Sequence, residues 1–135
     1  MEYQELLALA KSTINTGELD GAHVTGEATN ASCGDSCRVW VRITDGTIEG
    51  MTYDAKGCVI SRAAASILAA QGALSIIEAR SMNGDAIRVL LGVSISPLRE
   101  RCLTTVLAAL HNALNSYEQL PSVIARSVIA TRQSR

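Results

Sequence analysis

Three cysteine-centred motifs carry the chemistry open to this chain: Cys33-Gly34-Asp35, Gly57-Cys58 and Arg99-Glu100-Arg101-Cys102. Three thiols and one carboxylate make a complete four-ligand set for one soft metal centre. Such donors hold zinc tetrahedrally, and the same set can hold an iron–sulfur cluster. Gly34 permits a sharp bend, so Cys33 and Asp35 can face one ion. Cys58 follows a glycine at the predicted start of an apolar helix, where the partial positive charge favours thiolate over thiol. Cys102 lies in the first two turns of another predicted helix. Arg99, three residues earlier on the same face, supplies a fixed positive charge that lowers the thiol pKa further.

The remaining polar candidates read differently. Cys37 shares a strand face with Val39 and Val41 and is expected in the core. A redox pair of Cys33 with Cys37 is disfavoured, because the usual gap is two residues. Asp35 alone would be a turn cap. His111 is nine residues past Cys102, about 180° around a helix, and so points away from the thiol toward the surface or another helix. His23 lies ten residues before Cys33 and is a weak candidate ligand.

These motifs sit where the pattern changes, at element boundaries. A helix is predicted from about Tyr3 to Thr13. Residues 15–32, rich in Gly, Asn, Thr and Ser, read as a flexible loop with one short strand near Ala22–Thr25. Cys37–Thr44 alternates clearly. Asp45-Gly46 signals a two-residue hairpin, and a return strand covers about Thr47–Ala55. After Gly57 the period changes: Val59–Ala70 is small and apolar nearly all round, a helix pressed between other elements. Helices follow near Leu74–Ser81 and Gly84–Leu91. Ser96-Pro97 is an N-cap and first-turn pair opening a helix to about Tyr117, and Pro121 starts a last helix carrying Arg126, Arg132 and Arg135. Strands early and helices late predict an α+β domain: a small antiparallel sheet of about three strands packed on one face by helices.

The chain has 135 residues, enough for one domain with one core, and no repeat or second domain is visible. It is 47% hydrophobic and 19% charged, hence globular. Its net charge of −1 argues against a broad nucleic-acid footprint. With aromatics at 3% and no Phe, the core must come from Ala, Leu, Ile and Val. The first fourteen residues read as an amphipathic helix, not a signal peptide. Val59–Ile77 is broken by Ser61, Arg62, Ser66, Gln71 and Gly72, so no membrane span is expected. A cytoplasmic location follows, where thiols stay reduced and four cysteines suggest metal or sulfur chemistry.

Ala31-Ser-Cys33-Gly-Asp35, an alternating strand, Lys56-Gly57-Cys58-Val-Ile-Ser61-Arg-Ala-Ala-Ala-Ser66 and then Cys102 together resemble the IscU/SufU/NifU N-terminal family over residues 3–117. These are scaffold proteins of iron–sulfur cluster assembly. The resemblance implies an IscU/SufU-like fold and a carrier, not an enzyme. Such a scaffold accepts sulfur from a cysteine desulfurase, builds a transient [2Fe–2S] cluster and passes it to apo-protein recipients. It implies Cys33, Cys58 and Cys102 as ligating thiols, Asp35 as the labilising fourth ligand and Cys102 as sulfur acceptor. A monomer or weak dimer is expected.

The branch features are mixed. Arg101 stands where IscU-type members carry His. Gly92-Val-Ser-Ile-Ser-Pro97 replaces their Leu-Pro-Pro-Val-Lys motif, which leaves a dedicated Hsp70 partner without support. Ser96-Pro-Leu-Arg99-Glu-Arg-Cys102 is closer to the SufU pattern. SufU-type members bind zinc (Zn2+) through three Cys and an Asp, and act as sulfurtransferase partners of their desulfurase. The 44-position spacing from Cys58 to Cys102 is too short for the SufU insertion. Residues 118–135 read as a C-terminal extension without a counterpart.

Overall fold

The structure, a computed structural model, describes residues 3–32 and 34–118. Cys33 and the helix expected after Pro121 lie outside the described residues.

The alternation that starts at Cys37 extends two residues further back. β2 (Asp35–Thr44) pairs antiparallel with β1 (Val24–Asn30) on one side and β3 (Thr47–Lys56) on the other. Asp35, Cys37, Val39, Val41 and Ile43 form one buried row. Arg38, Trp40 and Arg42 take the opposite face, where Arg38 pairs with Glu27. Asp45 and Gly46 close the hairpin with φ of 51° and 75°, the turn geometry that matches the right-handed twist of the strands. β4 (Leu74–Ser75) pairs with Ile48 and Thr47. Among the described residues the sheet therefore has four antiparallel strands in the order β1-β2-β3-β4, with α2 between the last two in sequence, where about three strands are expected.

Among the described residues five α-helices accompany the sheet: α1 (Tyr3–Lys11), α2 (Val59–Ala69), α3 (Ile76–Ser81), α4 (Gly84–Leu91) and α5 (Glu100–Glu118). α2 buries Ala63, Ala64, Ala65 and Leu68, and these small side chains let it sit between α1, α5 and β3. α5 lays Leu103, Val106, Leu107, Leu110 and Leu114 against the inner row of the sheet. Helices on one face of an antiparallel sheet make the expected α+β architecture.

The largest difference from expectation lies in residues 15–32. β1 runs from Val24 to Asn30, not near Ala22–Thr25. Gly26, Glu27 and Asn30 are poor strand formers, so tertiary contact decides the matter. The α5 backbone lies so close to Gly26 that a β-carbon there would sit 2.1 Å from the Ala109 carbonyl oxygen. Asn112 Nδ2 donates to the Glu27 carbonyl at 2.8 Å, capping that strand edge. Residues 15–17 are also tied down: Gly17 N–H donates to Tyr53 O at 2.9 Å, and Tyr53 N–H donates to Asn15 O at 3.0 Å.

Three smaller differences follow. α1 ends at Lys11, short of Thr13. Leu74 and Ser75 are strand, with Ser75 capping α3 through the Glu78 N–H at 3.0 Å. Pro97 opens a 3₁₀ turn, Pro97–Arg99, before α5, and Ser96 makes no side-chain capping bond.

Candidate metal centre

β2 has side-chain period two, so Asp35 falls in the same row as Cys37, Val39 and Val41. A carboxylate is thereby carried into the end of the core, 2% exposed. Leaving a buried charge without partners is costly, and two groups meet it. The Cys58 N–H donates to Asp35 Oδ1 at 3.0 Å. Asp35 Oδ2 lies 3.9 Å from Cys58 Sγ. One oxygen is committed to backbone while the other faces a thiol.

The approach depends on Gly57. Its φ is +126°, and a β-carbon there would lie 2.1 Å from Asp35 Oδ1 and 2.9 Å from Asp35 Cα. Cys58 then caps α2 in extended conformation, with Sγ accepting from the Ser61 N–H at 3.4 Å. The sulfur thus sits at the positive end of the helix, as the sequence predicts. Cys102, the third residue of α5, is 1% exposed. One ligand atom each from Asp35, Cys58 and Cys102 lies within 4.8 Å of the others.

This donor set fits a soft metal. Tetrahedral zinc with Zn–S near 2.3 Å separates its sulfur ligands by about 3.8 Å, so small side-chain adjustments would close the three groups on one ion. Three of the four predicted ligands are brought together in this way, and the fourth, Cys33, lies outside the described residues.

Arg99 is exposed in the 3₁₀ turn, its N–H donating to Ser96 O at 2.9 Å. His111 Nε2 lies 2.9 Å from the Ala79 carbonyl, joining α5 to α3 away from the thiols as expected. His23 lies just before β1 and is bonded to β2, its N–H donating to the Val41 carbonyl at 2.8 Å. β1 begins at Val24, opposite Val41, so the Ile43 N–H on that side of β2 lies past the end of the ladder, and it donates to His23 Nδ1 at 2.8 Å.

Cys37 is core, 3% exposed, as its strand face predicts. Burial, reinforced by the Asp54 charge, pushes its thiol up from an ordinary 9.0 to about 12. The neutral thiol is what folding favours. Its contribution to stability is complete below pH 9 and is lost as pH rises toward 12. Urea midpoints measured from pH 8 upward should therefore fall less steeply for Cys37→Val than for the parent chain. Parallel pH profiles would refute this.

Sequence reasoning missed one polar cluster. Asn30 Nδ2 donates to the Arg101 carbonyl at 3.4 Å, Arg101 Nη1 donates to Ser32 Oγ at 3.3 Å, and Ser32 Oγ donates to Asn30 Oδ1 at 2.9 Å. Arg101 beside Cys102 was the only signal of it, and its partners lie some 70 residues away in sequence.

Fold and site together define a class: a small α+β protein holding thiols and a buried carboxylate for soft-metal chemistry. The profile of the NifU-like N terminal domain matches residues 1–123, and the chain belongs to that family. It is a family of iron–sulfur cluster assembly scaffolds, the IscU, NifU and SufU proteins.

Two curated relatives place the likeness. The bifunctional protein NifU/MnmA of Rubrobacter xylanophilus is 37% identical over 110 residues, covering 76% of this chain and 22% of that protein. The iron-sulfur cluster assembly scaffold protein IscU of Thermotoga maritima is 39% identical over 69 residues, covering 50% of this chain and 49% of that protein. The match thus spans half or less of each relative's length.

Solved structures share the fold. The N-terminal part of a nitrogen-fixing NifU-like protein from Brucella abortus superposes with a TM-score of 0.71 at 18% identity, over 87% of this chain and 94% of that one. A scaffold candidate for the SUF system from Fervidobacterium islandicum gives 0.66 at 20% identity, over 84% and 96%. No helix among the described residues is long and apolar enough to cross a membrane.

Proposed function

We propose that this chain, as one IscU/SufU-like domain, is a cytoplasmic scaffold on which a transient [2Fe–2S] cluster is assembled and from which it is handed to apo-proteins. The cluster is cargo, not a resident cofactor. Cys33, Cys58 and Cys102 supply thiolates and Asp35 the fourth ligand. A cysteine desulfurase supplies the sulfur, with Cys102 as acceptor and Arg99 stabilising its thiolate. The observation that carries this reading is the buried Asp35 carboxylate, with Oδ2 turned to Cys58 Sγ at 3.9 Å and Cys102 within 4.8 Å. A carboxylate is a harder donor than a thiolate and a weaker partner for iron in a sulfide environment. That suits a cluster made to leave.

Anaerobic reconstitution with ferrous iron, cysteine, a cysteine desulfurase and dithiothreitol, the thiol reductant that takes persulfide sulfur to sulfide, should give a visible-absorbing chain. A colourless product that holds no sulfide would refute the scaffold. Asp35→Ala should retain its cluster several-fold longer when challenged with an apo-acceptor, followed by the decay of visible absorption. Faster loss in that variant would contradict the lability argument.

A second reading is favoured by one observation. The three described donors already stand near single-ion spacing, within 4.8 Å, which suits Zn2+ held as in a SufU-type sulfurtransferase. Zinc-loaded protein would then accelerate desulfurase turnover, and Cys102→Ala would abolish the effect. Zinc without any effect on the desulfurase would refute it.

A further inference from the structure

The two described thiols of the site differ in access. Cys58 is half-buried at the helix cap, whereas Cys102 is 1% exposed. Asn30 is the cross-strand partner of Asp35, so the chain leaving Asn30 turns beside the ligand group. Its next residues are fastened to α5 by the closed ring Asn30–Arg101–Ser32. That ring joins the β1–β2 turn to the residue immediately before Cys102.

We infer that Arg101 is a positioning residue. It holds this seam shut over Cys102, so that Cys58 is the first of the two thiols to meet an incoming metal or electrophile. Cys102 is reached only when the seam parts. The inference deepens the scaffold reading, and rests on it for its meaning, by setting the order in which the site is loaded. The seam is built for such opening. Arg101 and Ser32 are exposed, and exposed hydrogen bonds of 3.3–3.4 Å exchange readily with water. A partner carboxylate has the chemistry to take over the Arg101 guanidinium, which pairs with carboxylates through two parallel hydrogen bonds.

The test needs neither metal nor desulfurase, so its failure is distinct from failure of the scaffold reading. Reduced, metal-free protein is treated with N-ethylmaleimide, quenched at intervals, and the adducts are mapped by peptide mass spectrometry. Each thiolate adds across the maleimide double bond and the ring carbon takes its proton from water. Cys58 should be modified at least tenfold faster than Cys102 in the initial phase. Arg101→Ala and, independently, Ser32→Ala should raise the Cys102 rate several-fold and leave Cys58 unchanged. Cys37, deep in the core, reports general unfolding in the same digest. Equal rates at Cys58 and Cys102 in the parent chain would overturn the inference. So would a Cys102 rate unmoved by both variants, or one that rises only in step with Cys37.

Discussion

Gly57→Ala should weaken zinc binding at the site while leaving a folded, less stable protein. The added methyl would occupy the space of Asp35 Oδ1, 2.1 Å away, on a backbone whose φ is +126°. Such a backbone costs a non-glycine residue about 1–3 kcal/mol. Relief is possible by moving either Asp35 or the Gly57-Cys58 turn, and both movements break the bond from the Cys58 N–H to Asp35 Oδ1. The carboxylate then loses the partner that orients its second oxygen toward the thiols. Groups that orient metal ligands are worth about 10–100-fold in affinity, and here two ligands shift together. Zinc affinity, measured by competition with a chelator, should fall by at least tenfold. Native zinc affinity in a folded Gly57→Ala variant would show that the turn does not position the carboxylate.

Gly26→Ala should be the most damaging small substitution outside the site. Its β-carbon would meet the Ala109 carbonyl oxygen at 2.1 Å and the Ala113 nitrogen at 2.4 Å. These are backbone atoms in the middle of α5 and cannot swing aside as a side-chain tip would. α5 also supplies Leu103, Val106, Leu110 and Leu114 to the core, so displacing it opens gaps along the inner row of the sheet. Overpacking of this kind typically costs about 1–3 kcal/mol and occasionally more; a loss of about 3 kcal/mol is expected in urea unfolding. A midpoint within the error of the parent chain would mean that β1 and α5 approach less closely than described. The two variants separate cleanly. Gly26→Ala should lower stability most, and Gly57→Ala should lower metal affinity most.

The hairpin and the buried row were legible because period-two alternation and Asp45-Gly46 are local signals. Val59–Ala69 was legible for the same reason, as was Cys58 at its start, where the glycine and the change of period coincide. Cys37 revealed its role by standing in register with Val39 and Val41. β1 was not legible. Gly26 reads as a strand breaker until the helix that packs on it, more than 80 residues later, is known. Asp35 showed chemistry but not burial. Its place in the inward row follows only once the strand is seen to start at residue 35 and not 37. Gly57 read as a bend, yet its larger role is to leave room for a carboxylate 22 positions away. The Asn30–Ser32–Arg101 ring is a tertiary contact with no periodic trace. His23 reads as a weak ligand candidate because histidine often is one; that β1 stops short of Ile43, whose N–H then takes the ring nitrogen, has no signature in composition.

The bond from Asn112 to the Glu27 carbonyl has a consequence for handling at high concentration. An outermost strand with bare carbonyls and amides invites a neighbouring molecule to add its own strand and begin stacking. Here an amide side chain from α5 occupies that acceptor. Removing the amide with Asn112→Ala would uncover that carbonyl on the flank of the sheet, and greater self-association at high concentration, read by light scattering, is expected.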